Sequence, residues 1–174
     1  MAGVTELTDT ALRQLADRVA VHDVLMRYTR GIDRRDWELV RSCYHNDAYD
    51  DHAAYQGDRD GFVEWVARSL PHFEYTMHFI GNQLIEVDGD VAHAESYCVA
   101  YHRRAATGDE PEQDLIMGLR YVDRLERRNG EWRIAHRVCA MDWTRTDPVT
   151  AKWDFPPETT RGLPYPNDVV YRGR

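Results

Sequence analysis

The first seventy residues carry hydrophobic side chains at helical spacing. From Thr8 to Gly31 they recur every three or four positions, and Asp9 and Thr10 are candidate N-cap residues. Gly31 is expected to end this helix, because glycine commonly follows the last helical turn. The pattern therefore predicts one long helix with a buried stripe formed by Leu12, Leu15, Val19, Leu25, Tyr28 and Ile32.

Two shorter helices are predicted next, from Asp33 to Tyr44 and from Asp60 to Leu70. Pro71 should stop the third helix, because proline has no backbone N–H to donate. The inward-facing side chains are expected to be Trp37, Val40 and Tyr44 on the second helix, and Phe62, Val63, Val66 and Leu70 on the third.

After Pro71 the hydrophobic period changes to two, which is typical of strands. Asp88-Gly89-Asp90 and Asn129-Gly130 are tight-turn signals, so two hairpins are predicted, separated by a polar loop from Ala106 to Gln113. Helices followed by hairpins indicate an α+β fold in which the helices cover one face of an antiparallel sheet. The predicted strands are Tyr75 to Val87, Val91 to Arg103, Leu115 to Arg127, Glu131 to Trp143, and a short strand near Ala48.

The last part of the chain is rich in proline. The motifs FPPE and LPYP, together with Trp153, Phe155 and Tyr171, predict an extended segment that covers its own domain or a neighbouring subunit. We therefore divide the 174 residues into one domain (1–147) and a C-terminal tail (148–174).

Charge and cysteine content narrow the classes of function. The net charge of -8 argues against nucleic acid and anionic membranes as partners. No apolar run approaches the roughly 20 residues that span a bilayer, and the start MAGVTELTDT lacks the features of a secretory signal. The odd set Cys43, Cys98 and Cys139 has no CxxC spacing, which favours reduced thiols and a soluble, cytoplasmic protein.

Asp33 and His78 are the strongest candidates for chemistry. An inward-facing carboxylate near a helix end needs a partner, and His78 lies on the first long strand. A His–Asp pair in an apolar cavity can act as a general base, because the carboxylate fixes the imidazole tautomer. Alternatively, Asp33 only caps the second helix and His78 is an ordinary strand residue.

Two other kinds of site receive less support. The acidic segment around residue 50 could suggest a divalent metal, but its spacing matches no established motif, so we expect no metal ligands there. The three cysteines fall in apolar patterns, where thiols are usually inert. The residues of that segment are His45, Asp47, Asp50, Asp51 and His52.

Several motifs resemble the SnoaL-like branch of the nuclear transport factor 2-like superfamily. RYTRGIDRRDW (Arg27 to Trp37) and YTMHFIGN (Tyr75 to Asn82) are similar to bile-acid dehydratases and hexachlorocyclohexane dehydrochlorinases, and more distantly to scytalone dehydratase. ERRNGEW (Glu126 to Trp132) is similar to the dehydrochlorinase motif that precedes an arginine on the last strand. The dehydrochlorinases have a lysine where this chain has Tyr28.

This resemblance implies a fold and a site. The fold would be a cone-like barrel, a curved antiparallel sheet covered by the N-terminal helices. The implied catalytic residues are Tyr28, Asp33, His78 and Arg137, with His78 as the base, and no cofactor is implied. If the sheet curves around a pocket, the substrate-binding aromatic side chains would be Tyr49, Phe79, Tyr97, Tyr121 and Trp143.

The function predicted from these residues is that of a dehydratase-like lyase without a cofactor. It would remove a carbon-bound proton from a small apolar cyclic or polycyclic substrate, such as a steroid or polyketide. The alternatives are a ketosteroid-isomerase-like or polyketide cyclase enzyme, and a binding module without activity, because this fold licenses no single reaction. The expected partners are the small-molecule substrate and further copies of the chain, as a homodimer or homotrimer.

Overall fold

The computed structural model describes residues 8–173. The prediction that the chain starts without a secretory signal rests mainly on residues outside this range. Three α-helices are present, α1 (Asp9–Arg34), α2 (Trp37–Ser42) and α3 (Arg59–Ser69), with short 3-10 turns at Leu70–His72 and Val169–Tyr171. The strands are β1 (Tyr44–Asp51), β2 (Gln56–Asp58), β3 (Tyr75–Asp88), β4 (Val91–Arg104), β5 (Gln113–Arg128) and β6 (Glu131–Pro148).

The six strands form one curved sheet in the order β2-β1-β6-β5-β4-β3. Both predicted hairpins are confirmed, and positive φ angles at Asn129 (54°) and Gly130 (82°) form the second turn. The α+β class is confirmed, but the sheet is not purely antiparallel, because β1 pairs with β6 in parallel. Within the described residues the edge strands β2 and β3 do not pair, so the sheet remains open. The three-residue strand β2 was too short to be predicted from periodicity.

Helix α1 differs from its prediction at both ends. Thr8 is the N-cap, and its hydroxyl accepts the Ala11 N–H. The helix continues through Gly31 and ends at Arg34, and the C-cap residue Arg35 has a left-handed φ of 55°. The prediction that Gly31 ends the helix is therefore wrong. Its missing side chain allows α1 to approach α2, because a Cβ at Gly31 would lie 2.7 Å from Val40 Cγ2 and 3.0 Å from Val40 N.

Only the second half of the predicted α1 stripe is buried. Leu12, Leu15 and Val19 are 47%, 55% and 52% exposed, so their predicted burial is wrong. This half of α1 lies along the end of the β5–β6 hairpin, where Asp17 accepts hydrogen bonds from Arg127 and Trp132. Among residues 8–173, no second layer covers Leu12, Leu15 and Val19. The buried face begins further along and consists of Val21, Val24, Leu25, Tyr28 and Ile32.

Helix α3 lies close to its prediction, whereas α2 is much shorter than the predicted span from Asp33 to Tyr44, because Asp33 belongs to α1. Asp36 caps α2 by accepting the Leu39 N–H, and α2 ends at Ser42, so Tyr44 belongs to β1 and not to the helix. Asp58 caps α3 by accepting the Gly61 N–H. The predicted inward face of the third helix is confirmed, because Phe62, Val63, Val66 and Leu70 are all buried.

A buried ion pair lies at the centre of the core. Arg137 on β6 is fully buried, and its Nε and Nη2 atoms each lie 2.7 Å from a carboxylate oxygen of Asp123 on β5. Its guanidinium carbon lies 4.1 Å from the ring centroids of both Tyr28 and Tyr121, and its Nη1 atom lies 3.3 Å from the Tyr44 hydroxyl. This single side chain therefore connects α1, β1 and β5 to β6.

The C-terminal segment contacts the end of α1. Arg34 forms an ion pair with Asp168 at 3.3 Å, and the Arg34 carbonyl accepts the Tyr165 N–H at 2.6 Å. Trp153 is 86% exposed, so part of the segment is uncovered within one chain. The division into a domain and a tail at residue 148 stays a prediction.

We expect Gly31→Ala to lower the free energy of unfolding by about 1–3 kcal/mol, because the new methyl group would overlap Val40 and push α2 away from α1. Urea denaturation measures this change. Gly81→Ala is the matched control, since its added Cβ would find no atom nearer than the Tyr97 carbonyl oxygen at 3.9 Å. Equal effects of the two substitutions would show that the helix contact is not tight.

We expect Arg137→Met or Asp123→Asn alone to cost about 3–5 kcal/mol, because each leaves its buried charged partner without compensation. The double variant Arg137→Met with Asp123→Leu should recover much of this loss. The free energies of unfolding of all three variants test the pair. A single variant within 0.5 kcal/mol of the parent protein would contradict its role, since that lies inside the range of ordinary surface substitutions.

Candidate active site

A largely apolar cavity of about 190 Å³ lies between the inner face of the sheet and the helices. Helices α1 and α3, the segment at residues 52–54 and strands β3 to β6 each contribute to its wall. The wall includes Tyr28, Ile32, His52, Ala53, Ala54, Trp65, Val66, Leu70, His78, Ala100, His102, Met117, Leu119, Tyr121, Cys139 and Met141.

The predicted His–Asp pair is present on this wall. The Nδ1 atom of His78 lies 2.8 Å from Asp33 Oδ1, and the His78 backbone N–H donates to Asp33 Oδ2 at 2.9 Å. The Thr76 hydroxyl also donates to Asp33, at 3.0 Å. Asp33 does not cap α2, because Asp36 does so, and this removes the alternative explanation for the carboxylate.

The hydrogen bonds determine the protonation state of the pair. Burial alone would raise the pKa of Asp33, but the hydrogen bonds from His78 and Thr76 outweigh burial and hold that pKa below its usual value. Because Asp33 is then an ionised acceptor, the proton of a neutral His78 ring resides on Nδ1. Nε2 is left as the basic nitrogen of a ring that lines the cavity.

Tyr28 and Arg137 occupy different depths. Tyr28 lines the cavity, and burial raises its pKa, so the phenol keeps its proton. Arg137 lies behind the wall, between the Tyr28 and Tyr121 rings, and its guanidinium group binds Asp123. Burial lowers the pKa of Arg137, but attraction to Asp123 exceeds that effect and the net change is upward. The structure therefore places two of the four predicted catalytic side chains, Tyr28 and His78, on the cavity wall. Asp33 lies behind His78 and is bound to it, and Arg137 lies behind the tyrosine rings.

The predicted substrate-binding aromatic residues are mostly on the other side of the sheet. Phe79, Tyr97 and Trp143 are 66%, 49% and 49% exposed and lie on its outer face, together with Tyr49, whose ring stacks on His136 at 5.5 Å. Their placement on the cavity wall is therefore wrong, because successive side chains of a strand alternate between faces and His78 already points inward. Tyr121 alone of this set lines the cavity.

Two histidines on the wall were missed as site residues from the sequence. His102 on β4 lies opposite Thr76, with its ring centroid 5.3 Å from that of His78. Within the described residues, its Nδ1 atom is buried without a hydrogen-bond partner, as is the Tyr121 hydroxyl. Burial, and secondly the repulsion that a charge on His78 would exert, lowers the pKa of His102 to about 4, so this ring is neutral near pH 7. The position of His102 on the cavity wall follows from the pairing register of β3 and β4, and a single sequence predicts that register only weakly.

His52 belongs to a second buried network. Its Nδ1 atom lies 3.1 Å from Asp50 Oδ1, while Asp50 Oδ2 accepts the Tyr44 hydroxyl at 2.7 Å. The rest of the acidic segment has separate partners. His45 contacts the Glu126 carbonyl and Asp47 pairs with Arg128. Across residues 8–173, no three His, Cys, Asp or Glu side chains converge as potential metal ligands.

The cysteines are all buried. Burial raises the pKa of Cys43 to about 11 and that of Cys98 and Cys139 to about 12, so the thiols remain protonated near pH 7. Cys139 on the cavity wall is thus a packing residue and not an activated nucleophile. In the described part of the chain, no helix combines the length and apolar character needed to cross a membrane.

Known proteins share this architecture. The uncharacterized protein Rv2910c of Mycobacterium tuberculosis is 30% identical over 142 residues, which cover 79% of this chain and 94% of that protein. The structure of Rv3472, a Mycobacterium tuberculosis protein of unknown function, aligns with 26% identity and a TM-score of 0.65 over 75% of this chain and 74% of its own.

A hexachlorocyclohexane dehydrochlorinase, LinA-type3 from Novosphingobium barchaimii, aligns with a TM-score of 0.67 at 22% identity. The alignment covers 84% of this chain and 99% of the dehydrochlorinase, and at this identity the likeness concerns the fold. The family profile described as the SnoaL-like domain matches residues 13–138, most of the chain. The resemblance inferred from the sequence motifs is thereby confirmed, and the chain belongs to the SnoaL-like domain family.

Proposed function

We propose that this protein is a dehydratase-like lyase in which His78 removes a carbon-bound proton from a small cyclic substrate. The observation that supports this most directly is the Asp33–His78 pair, whose ring lines a mostly apolar cavity. A base in such a place is screened from water and oriented by its carboxylate. A protein with a similar fold is named a hexachlorocyclohexane dehydrochlorinase, and that name describes an elimination reaction.

The proposed reaction begins at a carbon next to a carbonyl group. Nε2 of His78 takes the proton, and ionised Asp33 stabilises the imidazolium that forms. The electron pair of the C–H bond first moves into the carbonyl group and gives an enolate. It then forms the new C=C bond as the bond from the adjacent carbon to a hydroxyl breaks. The Tyr28 phenol, which keeps its proton, donates a hydrogen bond to the carbonyl oxygen as negative charge develops there.

The size of the cavity narrows the substrate class. Pockets for drug-sized ligands usually measure about 300–1,000 Å³, and this cavity of about 190 Å³ is smaller. It has room for a compound with one ring, whereas a four-ring steroid would need the wall to open. We therefore narrow the predicted substrate to a single-ring ketone that carries a leaving group on the β carbon.

Activity of two variants tests the base. With 3-hydroxycyclohexanone as the probe, the parent protein should form cyclohexenone and water, measured by ultraviolet absorbance. His78→Ala should lower kcat/KM by about 10²–10⁴-fold, because the base is removed. Asp33→Asn should also lower it strongly, because an amide neither fixes the required tautomer nor stabilises the imidazolium.

Phe79→Ala is the matched control for this test, since it lies on the same strand but on the outer face. It should retain nearly full turnover. Near-parental activity in His78→Ala or Asp33→Asn would rule out the proposed base. Conversion of 3-cyclohexenone into 2-cyclohexenone, without dehydration of 3-hydroxycyclohexanone, would identify an isomerase that uses the same proton abstraction.

The buried His102 should make the protein less stable in acid. The unfolded chain binds a proton at this ring near its usual pKa of 6.5, whereas the folded chain binds one only near pH 4. Stability is therefore lost as pH falls from about 6.5 to about 4, by up to roughly 3 kcal/mol from this ring. His102→Gln should remove this part of the pH dependence.

Free energies of unfolding at pH 7, 5 and 4 measure the effect. His93→Gln is the control, because His93 is an exposed residue of the same strand. A pH dependence of His102→Gln that equals the parental one would contradict the assignment of His102 as a buried neutral ring.

A further inference from the structure

A second His–Asp pair faces the same cavity. His52 follows β1 and lines the wall, and its Nδ1 atom contacts Asp50, which is fully buried. The His52 ring centroid lies 5.9 Å from that of Tyr121 and 5.0 Å from that of Phe62. Because Nδ1 is engaged by the carboxylate, Nε2 is the nitrogen of this ring that remains for a ligand.

Asp50 has one hydrogen-bond partner that faces the cavity, and it is His52. Both oxygens of Asp123 accept from Arg137, so that pair is neutral as a unit. Asp50 has only the Tyr44 hydroxyl and His52 as hydrogen-bond partners among the described side chains. A buried carboxylate needs partners that can compensate its charge, and His52 is the side chain in contact with Asp50 that is able to carry a proton to the cavity.

Two further polar residues of the wall lie beside these histidines. Among residues 8–173, the Tyr121 hydroxyl, next to His52, and His102 Nδ1, next to His78, are buried without hydrogen-bond partners. Such unsatisfied atoms are rare in folded proteins. The polar groups of the cavity are thus arranged around two histidines.

We propose that the Asp50–His52 pair is a second proton-transfer site of this cavity, which donates a proton to the departing oxygen of the substrate. This inference rests on the proposed lyase function. His78 gains the proton from carbon, His52 gives its proton from Nε2 to the leaving hydroxyl, and water is released. Proton exchange with solvent then restores both histidines. The substrate class that needs both groups is a cyclic β-hydroxy ketone, because hydroxide is a poor leaving group without protonation.

A change of leaving group tests this assignment. In His52→Gln, dehydration of 3-hydroxycyclohexanone should fall by at least about 100-fold. Elimination from 3-chlorocyclohexanone, corrected for the spontaneous reaction, should stay within about threefold of the parental rate, because chloride leaves without a proton. Deuterium uptake at C2 in D₂O should also persist, since His78 still removes that proton. His78→Ala should lose all three activities.

Asp50→Asn serves as a second variant should His52→Gln fold poorly, and it should show the same contrast between the two leaving groups. His136→Gln is the control, because His136 stacks on Tyr49 at the outer face. An equal loss with both leaving groups would show that His52 is structural, and no loss with either would exclude it as the acid. A parental protein inactive on both compounds, without deuterium exchange, would instead overturn the proposed function itself.

Discussion

The buried ion pair of Arg137 and Asp123 is the interaction on which the rest of the structure depends. A guanidinium without solvent must be surrounded by acceptors and aromatic faces, and here Asp123, Tyr28, Tyr121 and Tyr44 provide them. These four groups come from three elements, namely α1, β1 and β5. The contacts of the Arg137 guanidinium therefore hold α1, β1, β5 and β6 in place relative to one another. They also fix the Tyr28 and Tyr121 side chains of the cavity wall.

The same arrangement explains why the cavity is well defined although it is small. The Tyr28 and Tyr121 rings have the guanidinium behind them and the cavity in front. Tyr44 links the pair to Asp50 and thus to His52, while Asp33 binds His78 from the last turn of α1. Polar groups are held in place on regular elements, as proton transfer over short distances requires.

Much of this could be predicted from the sequence, because hairpin turns and hydrophobic periods are local signals. The two hairpins, α3 and the Asp33–His78 pair are examples, the last through motif resemblance. Composition does not predict which face of the sheet carries Phe79, Tyr97 and Trp143. Irregularities in the β3–β4 and β5–β6 pairings also shift the register, and this changes which side chains point inward. His52, His102 and the contact at Gly31 depend on which strands and helices are neighbours, which only the three-dimensional arrangement shows.

Arg34 immediately follows Asp33, and its backbone and side chain are both bound by the C-terminal segment. The match to the family profile ends at residue 138, so Tyr165 and Asp168 lie outside the matched residues. A stretch beyond the matched domain is therefore attached one peptide bond away from Asp33. A substitution in this stretch can alter the position of Asp33 while every residue of the matched domain stays the same.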